Sequence, residues 1–181
     1  MKINNKIVIP ISIIVTLPFM IAVFSKKSYT IEKEMVIFKK KEIVYDYLKL
    51  LNNHEQYDNI FLQDTKMTKK YTGNDGNKGC VLFWNSDNSK IGKGELEIKK
   101  IKDGDSIYLE KRYLRPHKYL ETNVIAIESE SSGITKVRWM INGEAGFPLN
   151  LNMMFVNFEE DLGNNLNLTL ENLKNNLEKQ K

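Results

Sequence analysis

Two histidines, one cysteine and three arginines are the scarce chemical groups of this 181-residue chain, and their spacing limits what they can do. His54 and His117 stand far apart with no cysteine–histidine cluster beside either, so no metal centre is expected and no cofactor is implied. No Gly-x-Ser-x-Gly elbow is present, and neither histidine has an acid partner of recognisable spacing. The run Asn74-Asp75-Gly76-Asn77-Lys78-Gly79 lacks the spacing and the following helix of a phosphate loop, and reads as a turn. Cys80 precedes Val81-Leu82-Phe83-Trp84 and reads as a packed strand thiol; as the single cysteine it excludes an intrachain disulfide.

Three groups are left with chemistry to offer. Glu95 and Glu97 lie two apart on a strand pattern, so both point to one face. Leu96 and Ile98 claim the apolar face, which turns the glutamates toward water. Arg112 and Arg138 are candidate anchors for an anionic head group if they meet across a sheet, although a solvated outer face is the plainer reading, since Arg138 alternates with Val137 and Trp139. The aromatic residues Tyr71, Trp84, Tyr113, Trp139, Phe155 and Phe158 either line a cavity or pack as core. Apolar walls with few polar groups are the usual form of a small-molecule site.

The elements that must position these groups are legible from periodicity. Residues 29–37 read as a strand and 42–51 as a helix, with Ile43, Tyr47, Leu50 and Leu51 at helical spacing; residues 54–62 read ambiguously, with room for a short helical turn. Six strands follow, over 65–71, 79–84, 94–101, 106–114, 119–128 and 134–142, each closed by a Gly, Asn, Asp, Ser or Pro turn. Short turns between consecutive strands predict an antiparallel meander. Alternation assigns Cys80, Leu82, Trp84, Leu96, Ile98, Val137, Trp139 and Ile141 to one face. Phe155, Phe158, Leu162, Leu166, Leu170, Leu173 and Leu177 advance 22 positions in six steps, close to the 3.6 period, and predict a long amphipathic helix with Pro148 ahead of it. Asparagine is a poor helix former, so packing of the leucine stripe must carry this helix. The stripe needs an apolar partner, and one face of the sheet is the partner on offer.

Residues 7–24 form an uncharged run of 18, roughly 27 Å as a helix, flanked by Lys2, Lys6, Lys26 and Lys27. This predicts one membrane anchor in residues 1–27 and a folded domain in 28–181. A cleaved signal peptide is the competing reading, with Ala22-Val23-Phe24-Ser25 a poor cleavage site. The lysine flanks do not fix the side of the membrane. Residues 1–27 carry four of the 27 Lys+Arg and no acid, leaving 23 basic against 23 acidic residues in 28–181. The folded part is therefore neutral, which argues against nucleic acid as a partner.

Several stretches resemble the polyketide cyclase/dehydrase branch of the START-like (SRPBCC, helix-grip) superfamily, in its bacterial form with an N-terminal membrane segment. Tyr29-Thr30-Ile31-Glu32 and Val36-Ile37 resemble its opening strand, and Glu42, Val44, Tyr45, Asp46 and Tyr47 its first helix. Ile91-Gly92-Lys93-Gly94 and Ile98 resemble a middle strand. Thr135-Lys136-Val137, Trp139, Gly143-Glu144 and Phe147-Pro148 resemble the last strand and its turn. Gly163, Leu170, Asn172, Leu173 and Lys174 resemble the long helix. Lys39 to Lys41, His54, Tyr57 and Thr169 depart from the pattern. The resemblance implies an α+β helix-grip fold: a curved antiparallel sheet of about seven strands wrapped on a long C-terminal helix, preceded by one transmembrane helix. It also implies a binding domain for a hydrophobic small molecule or lipid. The expected cavity lining is Tyr71, Leu82, Trp84, Leu96, Tyr113, Val137, Trp139, Phe155, Phe158 and Leu162, with Arg112, Arg138 and Glu95 as polar anchors. An enzyme using the same cavity, with Tyr71, Tyr113 or Glu95 moving a proton, and a filled-core partner-binding domain are the alternatives.

Overall fold

A computed structural model of the protein describes residues 28–144, 150 and 157–179, with residues 10, 14, 16 and 17 of the N-terminal run. Most of the expected membrane span, the Pro148 turn and Phe155 lie outside the described residues. Among those described, no helix is long and apolar enough to cross a membrane.

The folded domain opens with strand β1 (Ser28–Ile37) and helix α1 (Lys41–Leu48), then two one-turn helices, α2 (His54–Tyr57) and α3 (Asn59–Leu62). Strands β2 (Thr68–Thr72), β3 (Val81–Asn85), β4 (Lys93–Lys102), β5 (Ser106–Arg115), β6 (Tyr119–Ser131) and β7 (Ile134–Glu144) follow, and helix α4 (Phe158–Lys179) ends the fold. The seven strands form one antiparallel sheet in the order β1-β7-β6-β5-β4-β3-β2. Strands β2 to β7 are the expected meander. Strand β1 docks on β7, so β1 and β2 are the two edges and the α1–α3 segment must cross from one to the other. Helix α4 packs on β1 and against α2 and α3.

The apolar face is the one alternation selects. Leu82, Trp84, Leu96, Ile98, Ile107, Leu109, Ile125, Ile127 and Val137 are buried from the sheet side, and Leu166, Leu170, Leu173 and Leu177 from α4. Each such aliphatic side chain contributes roughly 1.5–3 kcal/mol by leaving water.

Helix α1 is shorter than its apolar spacing suggests. It stops at Leu48, and Leu51 turns inward on a 3-10 turn because the Asp75 carboxylate accepts the N–H groups of Leu51 (2.7 Å) and Asn52 (3.1 Å). Strand β2 starts at Thr68 rather than 65, because Asp64 turns the chain by accepting the N–H of Lys66 at 3.0 Å and the hydroxyl of Ser86 at 2.5 Å.

The asparagines of α4 have a purpose that composition does not reveal. Asn165, Thr169, Asn172 and Asn176 recur at helical spacing and bond the α2–α3 segment. Thr169 Oγ1 accepts the Asn59 N–H at 3.1 Å, and Asn165 takes the Asn59 side-chain amide. Asn172 and Asn176 donate to the carbonyls of Tyr57 (3.3 Å) and Gln56 (2.6 Å). One stripe of the helix thus buries leucine while an adjacent stripe holds a polar segment in place over the sheet.

Candidate functional site

The inner face of the sheet is mostly apolar, and its most deeply buried charged groups gather at one place. On β5 the inward positions run Ile107, Leu109, Lys111, Tyr113; on β6 they run Glu121, Asn123, Ile125, Ile127. Lys111 and Glu121 are directly opposed in the β5–β6 register. Lys111 is only 6% exposed, Glu121 2% and Asn123 4%, so a cation, an acid and an amide all enter the interior. Burial of such groups is costly unless they are partnered.

Partners come from the segment above. Asp58 caps α3 with one carboxylate oxygen, which accepts the Ile60 N–H at 3.0 Å. Its other oxygen faces Lys111 Nζ at 3.7 Å and His54 Nδ1 at 3.9 Å, the latter beyond hydrogen-bond distance. The Lys111 ammonium also lies 5.6–5.9 Å from the ring centres of Phe61, Trp84 and Tyr113, a three-sided aromatic cage. Glu121 accepts the Tyr29 hydroxyl at 2.8 Å, and Asn123 accepts the Trp139 indole N–H at 2.9 Å.

Two glycines make these reaches possible. Tyr29, Gly143 and Glu121 form one row across β1, β7 and β6. A Cβ on Gly143 would sit 2.3 Å from the Tyr29 ring and hydroxyl, so only glycine lets the tyrosine cross to Glu121. Trp84, Gly94 and Tyr113 form a row across β3, β4 and β5. A Cβ on Gly94 would meet the Trp84 ring at 2.3 Å. The indole instead occupies that space, with its ring centre 5.6 Å from the lysine ammonium.

The environments push the two buried carboxyls apart. Burial alone would raise Asp58, but Lys111, His54 and the Ile60 N–H outweigh it and hold the group at about 2. Burial dominates at Glu121 and raises it, against Lys111 and the Tyr29 and Tyr113 hydroxyls. Burial and the neighbouring acid also raise Tyr29 and Tyr113, so both stay protonated as donors. Two carboxyls with opposed shifts around one cation are the usual setting for acid–base work.

Space accompanies the cluster. An inner chamber of about 30 Å³ lies between Lys111, Glu121, Asn123 and Trp139 on the sheet and Asp58, Leu166 and Thr169 above. A volume of that size holds a water or a ligand's polar end. An outer cleft of about 300 Å³ shares Ile60, Tyr113, Glu121, Leu162 and Asn165 with the chamber and continues past Ile91, Tyr119 and Phe158.

Of the residues anticipated from sequence, Tyr113, Trp139, Phe158 and Leu162 border these volumes. Leu82, Leu96 and Val137 are packed in the core and border neither. Trp84 is core too, and serves as a wall of the lysine cage. Tyr71 sits on edge strand β2 and bonds Glu55. Phe155 lies outside the described residues. Arg112 and Glu95 pair with each other at 2.9 Å on the outer face, where Arg112 also meets Glu97 (2.8 Å) and Glu110. Arg138 is on that face two strands away, among Glu32, Glu34 and Glu128. Their side chains alternate with the inward positions, so they face away from the cavity. Cys80 is buried beside Asp75, and burial together with that acid pushes its thiol up to about 11.

His54, Asp58, Lys111, Glu121 and Asn123 were not anticipated. Strand parity carried the signal for three of them: Lys111 shares a face with Ile107 and Leu109, and Glu121 and Asn123 share one with Ile125 and Ile127. Asp58 and His54 had none, since their placement depends on how a short segment folds over a distant strand.

No family model matches the chain, and no curated protein matches it. Solved structures do. The chain is similar to norcoclaurine synthase from Thalictrum flavum in complex with dopamine and hydroxybenzaldehyde, with TM-score 0.64 and 9% identity over 90% of this chain and 93% of that one. It is similar to a putative uncharacterized protein from Rhizobium leguminosarum, with TM-score 0.60 and 12% identity over 85% and 97%. A major latex-like protein of Panax ginseng aligns with TM-score 0.54 and 11% identity over 83% and 98%. At these identities the likeness establishes the fold: the chain has the helix-grip fold, a seven-stranded antiparallel sheet with a C-terminal helix laid across it.

Proposed function

We propose that residues 28–181 bind a compact hydrophobic molecule with one polar end, and that residues 7–24 anchor this domain to a membrane. One observation carries the binding reading: a partly apolar cleft ends in a buried Lys111–Asp58–Glu121 cluster that a purely structural interior would not need. The cleft, at about 300 Å³, is at the lower end of ligand pockets, which run roughly 300–1,000 Å³. A lipid or isoprenoid ligand would therefore be a short one. The solved norcoclaurine synthase holds small aromatic compounds on the same fold, which supports a ligand of that scale. A tether would raise the local concentration of membrane-partitioned molecules around the cleft.

An enzyme of the cyclase type is the second reading, favoured by the opposed shifts of Asp58 and Glu121. The test is to express the full-length chain, recover it from the membrane or soluble fraction, and examine it by native and denaturing mass spectrometry. The expected result is recovery with membranes and a stoichiometric small molecule that is lost from a Trp139→Glu variant. A soluble, empty wild-type chain would sink both the tether and the resident-ligand reading. A bound mass that changes on incubation would favour turnover.

A further inference from the structure

The inner chamber offers more hydrogen-bond donors than acceptors. An ammonium has three N–H groups, and the 3.7 Å contact with Asp58 occupies at most one of those of Lys111. The Trp139 indole must find an acceptor, which fixes the Asn123 amide with its oxygen toward Trp139. Among the described residues the Asn123 NH2 group is then left without a partner, although the residue is 4% exposed and lines the chamber. Asp58 has one oxygen taken by Ile60 and the other facing Lys111, and Glu121 is engaged by Tyr29. A complementary ligand group is an oxygen that accepts.

Charge narrows the choice between a carbonyl and a carboxylate. The Asp58 carboxylate, 3.7 Å away, already balances the Lys111 ammonium, and burial favours the neutral form of Glu121. A neutral oxygen preserves that balance, whereas a carboxylate leaves a net buried anion, which is costly. We propose that the inner chamber is a subsite for the carbonyl oxygen of a compact neutral ligand, held by the Lys111 ammonium and the Asn123 amide. This rests on the small-molecule reading above and names its substrate class.

Glu121 makes the subsite sensitive to pH. It is faced by Lys111 and Tyr113 on β5, Tyr119 on β6, Tyr29 on β1 and Asp58 at the start of α3, with Lys90 and Asp161 lining the outer cleft beside it. Its protonated form adds a donor to the chamber. Its ionised form adds an acceptor that competes for Lys111. Carbonyl binding therefore weakens as pH rises through the Glu121 titration.

Trp139 lines the chamber and Trp84 packs beside its lysine, so intrinsic fluorescence reads the site. The experiment titrates the full-length chain, held in lipid nanodiscs, with phenylacetone, phenylacetate and propylbenzene, which share a body and differ in the polar end. The expected result is that the ketone binds about tenfold or more tighter than either analogue, since a site built to hydrogen-bond one group rejects a ligand lacking it. Lys111→Met should bring the ketone down to the hydrocarbon's affinity. Because that variant leaves Asp58 without its cation, Glu121→Gln is the second test: it should bind the ketone with no loss at high pH. Equal binding of ketone and hydrocarbon, or tighter binding of the acid, overturns the carbonyl subsite while leaving the cavity reading intact. Binding of none of the three overturns both.

Discussion

At the scale of single residues, the site depends on what is missing from two positions. Gly143 and Gly94 lack side chains where Tyr29 and Trp84 cross neighbouring strands to reach Glu121 and Lys111. Gly143→Ala places a methyl 2.3 Å from the Tyr29 ring and hydroxyl, so the phenol must leave Glu121. A buried acceptor deprived of its donor costs about 1–3 kcal/mol, and the expected outcome is a fall of that size in the stability read from urea unfolding. The mechanism is specific, because in a Tyr29→Ala background there is no ring to displace. There, Gly143→Ala should cost almost nothing further. An undiminished cost would mean that the alanine acts on the backbone of β7 rather than through the tyrosine.

At the scale of elements, the chain shows why some structure is legible and some is not. The six-strand meander is readable because alternation and Gly, Asn or Pro turns repeat along residues 65–142, and the leucine stripe of α4 is readable because it runs over many turns. Helices α2 and α3 have four residues each, too few to display a period, and Asp58 is placed by contacts with strands more than fifty positions away. The parity of β5 and β6 did point Lys111, Glu121 and Asn123 inward. The expectation that charged residues face water hid them, and that expectation holds for Arg112, Arg138 and Glu95 in the same sheet. The polar stripe of α4 leads to a prediction about this weakly encoded region. Thr169→Val removes the acceptor of the Asn59 N–H while keeping the side-chain volume. It should cost about 1 kcal/mol and speed amide hydrogen exchange across residues 54–62 while leaving the sheet protected. Leu170→Ala, one residue on, removes fully buried apolar volume. It should cost about 2–5 kcal/mol and loosen sheet and helix together. Matching exchange patterns for the two variants would refute the division of α4 into a roof-holding and a core-filling stripe.

At the scale of the whole molecule, two buried carboxyls give stability a pH profile with opposite limbs. Asp58 stands at about 2 in the fold against an ordinary 3.8, so between those values the unfolded chain binds more protons than the folded one. Its contribution is fully present above about pH 4 and disappears as pH falls toward 2, on the order of 2 kcal/mol in all. Glu121 is raised from 4.5, so the folded chain binds more protons than the unfolded one above that value. The protonated form is the one the interior favours, and stability declines as pH rises through the raised titration. Glu121→Gln keeps an acceptor for the Tyr29 hydroxyl and removes the titrating proton. Its stability relative to wild type should therefore increase from pH 5 to pH 9. Asp58→Asn removes the other limb: its deficit relative to wild type should shrink as pH falls from 5 to 2, because protonation then deprives the wild type of the same charge. Urea midpoints for the three proteins across pH 2–9 measure both limbs at once. A Glu121→Gln curve running parallel to wild type all the way from pH 5 to pH 9 would mean that Glu121 is ionised in the folded chain throughout that range. The chamber would then carry a negative charge beside Lys111, and its preference would shift from a carbonyl oxygen toward a donor or a cation.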